Sequence, residues 1–293
     1  MQSNNSGEHT IPGLGIKCKL VNDEDSLDSM LNTLLPNTAM INVDLEGIDL
    51  SREGQICLMQ IHGANTDRVY IIDFIGFNPF TTLNGRLKTL LETTAVTKVF
   101  FDPRNDAAAL SHQFNVHLKN VICLQLAEVA DCRSWWLDIT FVMGLKKVME
   151  EHLKRSPSIR RSDLILIKTI KSNGDRIFKP DENGNYAIRD ERPLKSYILD
   201  YAGVDVFYFD NLWMTLYEPL NDKSKKNVLH HSADRLTAHQ QPGFIHNSRN
   251  NCYAPQFWKI VVFLGWRRDG FTLRIMVVKR CCRIKDFDNA RFE

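Results

Sequence analysis

The sequence has no uninterrupted apolar run long enough to cross a bilayer, which takes about 20 residues. It has no surplus of charge either: 37 Lys and Arg stand against 35 Asp and Glu, a formal net charge of +2. A polyanionic partner would have to be met by basic residues gathered on one face, because the total supplies little attraction. The seven cysteines are odd in number and show no Cys-x-x-Cys spacing; only Cys281 and Cys282 adjoin. Cys57 and Cys123 lie in apolar runs and read as small buried side chains. No disulfide framework is implied, which points to a reducing compartment. Met1-Gln2-Ser3-Asn4-Asn5 lacks the apolar stretch of a signal peptide. These absences predict an intracellular protein, nuclear or cytoplasmic, without membrane attachment. Internal repeats and low-complexity segments are missing as well. What is present, 43% hydrophobic and 25% charged residues over 293 positions, suffices for a core of independent stability.

Residues 1–14 are polar and predict a disordered N-terminus. Lys17 to Val21 is a strand candidate, and Leu27, Met30, Leu31 and Leu34 recur at helical spacing before Pro36. Three strand-like runs follow, Ala39 to Glu46, Gln55 to His62 and Arg68 to Phe74, joined by short turn-rich links that favour an antiparallel meander. The pattern then alternates: helix from Phe80 to Glu92, strand from Lys98 to Phe101, helix from Asn105 to Phe114, strand from Asn120 to Leu124, helix from Gln125 to Ala130. The expected fold class is α/β, a mixed sheet with helices on both faces, as in a ribonuclease-H-like domain; other α/β folds fit the same order. Further on, Thr140 to Lys154 and Ser162 to Ser172 predict helices, and Ile177 to Ile188 a hairpin turned at Asn183-Gly184. Arg192 to Tyr217 predicts a long helical stretch with Pro193 in its first turn. The domain is expected over residues 15–231. A basic tail of 232–293 follows, in which Trp258 to Arg280 reads as a hairpin around Arg268-Asp269-Gly270. His239, His246 and Cys252 form no recognisable zinc spacing.

Three short segments carry chemistry. In Asp44-Leu45-Glu46 the strand alternation sends both carboxylates to one face, where they repel unless a cation lies between them. Hard oxygen donors suit Mg²⁺ or Mn²⁺, although a bare Asp-x-Glu is ordinarily a solvated strand edge. Asp106 falls in the first turn of a helix, where the helix dipole alone would favour an acid. It also directly follows a strand, which places it near the end where Asp44 lies. Asp102 nearby reads as a turn residue. Tyr201 and Asp205 are four apart, one turn above each other on a helix. A phenol stays protonated at neutral pH and can orient a water, while Asp205 binds metal. Taken alone, an interfacial Tyr and a surface Asp account for that pair.

Together these segments resemble the DEDD exonuclease superfamily, in the Tyr-containing subgroup of ribonuclease D and the Werner-type exonucleases. The first motif is Val43-Asp44-Leu45-Glu46-Gly47 with Gly54-Gln55-Ile56-Cys57-Leu58-Met59-Gln60-Ile61. The second is Phe100-Phe101-Asp102-Pro103-Arg104-Asn105-Asp106, and the third Tyr201-Ala202-Gly203-Val204-Asp205-Val206. The similarity runs from about Lys17 to Trp213 and includes Met143-Gly144-Leu145-Lys146-Lys147 and Arg192-Pro193-Leu194. It implies a 3′→5′ exonuclease hydrolysing phosphodiester bonds at the single-stranded 3′ end of RNA or DNA. Two divalent cations, Mg²⁺ or Mn²⁺, would be held by Asp44, Glu46, Asp106 and Asp205, with Tyr201 orienting water. Leu58, Met59 and Gln60 would line the 3′-terminal nucleotide, or serve only as strand core. Cys123 departs from the Asp that many relatives carry there. The second motif is closer to divergent eukaryotic members, which resemble an adaptor branch, so a catalytically inactive RNA-binding adaptor is the alternative. Lys146, Lys147, Lys154, Arg155, Arg160, Arg161, Lys168 and Lys171 could form a strip along a phosphate backbone, or be the solvated faces of two helices. Trp135-Trp136 could stack a base or pack in the core.

Overall fold

The computed structural model describes residues 7–63, 66–134, 139–179, 182–246 and 248–255, with the backbone of residues 262–267 and 270–275. Among them, β1 (Glu8–Thr10), β2 (Lys17–Val21), β3 (Met40–Ile48), β4 (Gln55–Gly63), β5 (Arg68–Asp73), β6 (Thr97–Phe100) and β7 (Val121–Cys123) form one sheet. Their order is β1-β2-β5-β4-β3-β6-β7. The meander of β3, β4 and β5 is antiparallel, as the short links require. β6 lies parallel to β3 and β7 parallel to β6, each reached through a helix.

Helices α1 (Glu24–Leu34), α2 (Arg86–Glu92) and α3 (Arg104–Phe114) supply the core of one sheet face. There Leu27, Met30, Leu31 and Leu34 join Ile41, Val43, Leu45 and Met59. Each such fully buried side chain contributes about 1.5–3 kcal/mol. The start of α1 is fixed by Asp23, whose carboxylate accepts from the Ser26 amide. The other face is built from α4 (Leu124–Ser134), α5 (Leu145–His152), α6 (Arg161–Phe178), α7 (Ser196–Phe207), α8 (Phe209–Leu212) and α9 (Asp222–Thr237). Its core includes Cys57, Leu58, Val99, Leu126, Ile167, Val204 and Val228. The α/β fold class expected from the sequence is thus the one observed.

Local expectations fared less evenly. Among the described residues of Ile177 to Ile188 no hairpin forms: α6 continues to Phe178, and Asn183-Gly184 closes a turn in which Asn183 takes φ 67° and the Gly184 amide donates to the Lys179 carbonyl. A 3₁₀ turn, Tyr186–Asp190, follows. Pro193 lies outside α7, after a cis peptide bond, and Lys195 is the residue that caps the helix. The long stretch to Tyr217 is divided at Tyr208 into α7, α8 and a π-helical turn, Trp213–Tyr217. Thr140 to Gly144 is not helical; Phe141 instead bridges to Tyr253. The segment from Phe80 enters α2 only at Arg86. At the N-terminus, Glu8–Thr10 pairs with β2 where disorder was expected, and His9 Nε2 lies 2.6 Å from Asp200. α9 runs unbroken through residue 232, the expected start of the tail, with Ser232 and Arg235 buried. The tail hairpin is present as β8 (Val262–Arg267) and β9 (Gly270–Ile275), antiparallel. The rest of 257–293, and Trp135-Trp136, lie outside the described residues. No described helix is long and apolar enough to cross a membrane.

Candidate active site

Strand β3 pairs with β6 only over Met40–Asn42, and among the described residues no strand pairs with it on that side beyond Asn42. Asp44 and Glu46 stand at this point, facing the side covered by α6 and α7. Across β4, Gln60 lies opposite Asp44 and Leu58 opposite Glu46. The register then jumps to Gly47 opposite Ile56, leaving Cys57 as the extra residue of a β-bulge. A Cβ on Gly47 would lie 2.1 Å from the Gln55 carbonyl oxygen, so glycine alone fits this crossing.

α7 supplies the facing groups. Its C-terminal end is tied to β3 by Asn42, whose amide nitrogen donates to the Val206 carbonyl at 3.2 Å and to Asp210 at 2.8 Å. Asp205 is thereby brought in, and one oxygen each from Asp44, Glu46 and Asp205 lies within 4.8 Å of the other two. Asp106, buried in the first turn of α3, stands outside this trio but close enough to act on it electrostatically. Burial pushes the Asp44 carboxyl well above the usual carboxylate range, and the charges of Asp106, Asp205 and Glu46 add to it. Asp106 is raised the same way, by burial and then by Asp102 and Glu46. Burial also moves Asp205 up to about 6. Such crowding of acids is costly without cations, and the all-oxygen donor set fits Mg²⁺ or Mn²⁺.

Tyr201 sits one turn before Asp205 on α7, its ring edge-to-face with Phe178 at 5.0 Å. Burial raises its phenol well above the ordinary value, so it is a hydrogen-bond donor at neutral pH. The backbone of α6 passes directly behind the ring: a Cβ on Gly174 would lie 2.0 Å from Tyr201 Cδ2.

Two cations inside the site escaped the sequence reading. Lys171, assigned there to an exposed basic strip, is buried on α6, ion-paired to Asp205 and 3.6 Å from the Tyr201 ring centroid. Burial opposes its charge, yet Asp205 and Tyr201 hold it above the usual lysine range. Arg189, from the 3₁₀ turn, pairs with Glu46 at 2.5 Å. The rest of the strip is largely neutralised within the chain. Lys146 meets Asp175, Lys154 meets Glu151, Arg155 meets Asp131, Arg160 meets Asp163 and Lys168 meets Glu150. Only Lys147 and Arg161 are exposed without an acidic partner among the described residues.

Leu58, Met59 and Gln60 are all fully buried. Leu58 shares the site's core and Met59 the opposite one, so strand alternation turns Met59 away. Both side-chain polar atoms of Gln60 lack a hydrogen-bond partner among the described residues. Asp102 is a turn residue, as expected, with φ 59°. Arg104 at 2.5 Å and Arg235 at 3.3 Å overcome its burial and hold it below the usual range. Arg235 also donates to Cys123 Sγ at 3.1 Å and to Gln125 at 2.7 Å.

The chain is 34% identical over 93 residues to the mouse piRNA biogenesis protein EXD1, an alignment covering 31% of this chain and 15% of that protein. In structure it resembles Trypanosoma brucei RNase D in complex with RNA U12. The TM-score is 0.62 at 20% identity, over 81% of this chain and 76% of that one. It also resembles Brucella melitensis NrnC with bound Mg²⁺. There the TM-score is 0.52 at 20% identity, over 78% of this chain and 99% of that one. A family model described as 3′-5′ exonuclease matches residues 18–221, from β2 to the residue before α9, and the chain therefore belongs to that family.

Proposed function

We propose that this chain is a metal-dependent 3′→5′ exonuclease acting on the single-stranded 3′ end of a nucleic acid. The observation that carries the reading is the meeting of Asp44, Glu46 and Asp205 within one 4.8 Å cluster, with Tyr201 one helical turn from Asp205. Asp44, Glu46, Asp106 and Asp205 would hold the divalent cations, Mg²⁺ or Mn²⁺. When bound, these would stabilise charge on the leaving 3′ oxygen and make a water nucleophilic at neutral pH. The chain's own part is positional. Tyr201 keeps its proton and donates it as a hydrogen bond that aims the attacking water. Leu58 and Gln60, opposite Glu46 and Asp44 on the same sheet face but fully buried, would support the floor of the site from beneath and not touch the terminal nucleotide. The RNA in the T. brucei RNase D complex and the Mg²⁺ in NrnC support the same substrate class and ion.

A second reading, a nuclease-fold adaptor that holds RNA without cutting it, is favoured by one observation. Lys171 and Arg189 already neutralise two of the four carboxylates. A time course on 5′-labelled single-stranded RNA and DNA in Mg²⁺, Mn²⁺ or EDTA separates the two. A metal-dependent ladder of shortened products, lost in Asp44→Ala, supports the exonuclease. Retained strand binding with no shortening in either metal sinks it and leaves the adaptor.

A further inference from the structure

Lys171 and Asp205 form an ion pair inside the carboxylate cluster, their side chains 4% and 2% exposed. Across the cluster, Arg189 pairs with Glu46 and also donates to the Gly47 carbonyl at 3.1 Å. Neither cation is a surface side chain with water as an alternative. Lys171 is held between Asp205 and the Tyr201 ring, and the Arg189 guanidinium lies 4.7 Å from the Phe178 ring centroid and 4.9 Å from that of Tyr186. A buried ammonium needs its carboxylate; taking the partner away leaves a charge that nothing offsets. A divalent ion on Asp205 would come within about 5 Å of Lys171 Nζ, one metal–oxygen bond plus one charged hydrogen bond away, and the two would repel. The total charge agrees. Asp44, Glu46, Asp106 and Asp205 bring four negative charges, Lys171 and Arg189 return two positive ones, and one divalent ion balances the remainder.

We propose that Lys171 takes the place of one divalent cation, so that the site binds one ion fewer than its four carboxylates would otherwise accept. This rests on reading those carboxylates as metal ligands. Near Asp205 the charge stabilisation of the usual second ion then comes from a fixed ammonium, which chelators cannot remove.

The test counts ions by electron paramagnetic resonance of free Mn²⁺ during titration, above the background of an Asp44→Ala/Glu46→Ala protein. Lys171→Met keeps the apolar stem without the charge. Lys171→Gln keeps a hydrogen bond to Asp205 and serves where the methionine variant does not fold, as judged by circular dichroism. Lys171→Arg retains the cation. The expected result is one more Mn²⁺ per chain in the neutral variants than in the wild type and Lys171→Arg, with a larger gain in melting temperature on adding Mn²⁺. Equal counts overturn the inference. Equality at one or two ions leaves the metal-dependent exonuclease standing, whereas equality at zero removes that reading too.

Discussion

Replacing Gly174 by alanine adds one methyl group to α6, where it would meet the Tyr201 ring at 2.0 Å (Cδ2), 2.3 Å (Cε2) and 3.2 Å (Cγ). Carbon atoms in contact settle at about 3.5–4.0 Å, so ring and helix must part by roughly 1.5 Å. The ring cannot simply swing aside, because Phe178 packs against it and Lys171 lies over its face. In an open helix the substitution would stabilise by about 1 kcal/mol. Here overpacking costs about 1–3 kcal/mol, so the net effect is a loss of up to about 2 kcal/mol. At this chain length that lowers the melting temperature by several degrees, at about 2–4 °C per kcal/mol. Activity suffers more, since a 1 Å misplacement of a positioning group can cost about 100-fold. Gly144→Ala is the control, because nothing lies within 4 Å of its added Cβ. The assay is thermal unfolding in EDTA beside the rate of strand shortening in Mn²⁺. A Gly174→Ala protein that melts higher than wild type and cuts at the same rate would refute the close packing of α6 on Tyr201.

Asp44→Asn and Asp205→Asn should both abolish cutting while moving stability in EDTA in opposite directions. The first relieves carboxylate repulsion and raises the melting temperature. The second strands Lys171 and costs about 3–5 kcal/mol, and equal signs would contradict the charge assignment. The stabilisation gained from Mg²⁺ should grow as pH rises from about 5 to 7. Asp44 and Asp106, whose folded-state carboxyls are raised well above their unfolded values, bind protons that the unfolded chain does not. The metal-free protein therefore loses stability as pH climbs through that window, and Mg²⁺ restores it. His62 and His239, both lowered by burial, run the other way but cancel between samples with and without Mg²⁺. Melting curves at three pH values decide this, and a gain independent of pH would contradict it. Arg235→Met should lower stability by about 1–3 kcal/mol, because Asp102 keeps Arg104 but the buried Gln125 oxygen loses its donor. Chemical denaturation measures the loss, and a neutral result would mean that Arg235 takes no part in fastening α9, which Ser232 and Val228 also hold.

The carboxylates and Tyr201 were legible because two periodicities survive folding. Alternation along β3 put Asp44 and Glu46 on one face, and four-residue spacing on α7 stacked Tyr201 under Asp205. The internal cations were hidden by the same kind of logic. A lysine on the polar side of a helix reads as solvated, and nothing in the sequence says that α6 lies with Lys171 and Gly174 against α7. Arg189 was lost because Asn183-Gly184 is a hairpin signal only where strands flank it; here helix α6 and a 3₁₀ turn do. Met59 was grouped with its neighbours by the motif, although alternation alone sends it to the opposite core.

The early end of β6 gives β3 two characters. Over Ile41–Asn42 it is an interior strand, paired on both sides, whereas beyond Asn42 it pairs with β4 alone among the described residues. Amide exchange should follow this change. Protection over residues 41–42 approaches that of global unfolding, and from 43 to 48 slow amides facing β4 alternate with fast ones facing the unpaired side. A bare strand edge invites another extended chain to add to it. At Gly47 that invitation is declined, because the carbonyl is already occupied by Arg189. The arginine that neutralises Glu46 thus also guards the strand edge at Gly47.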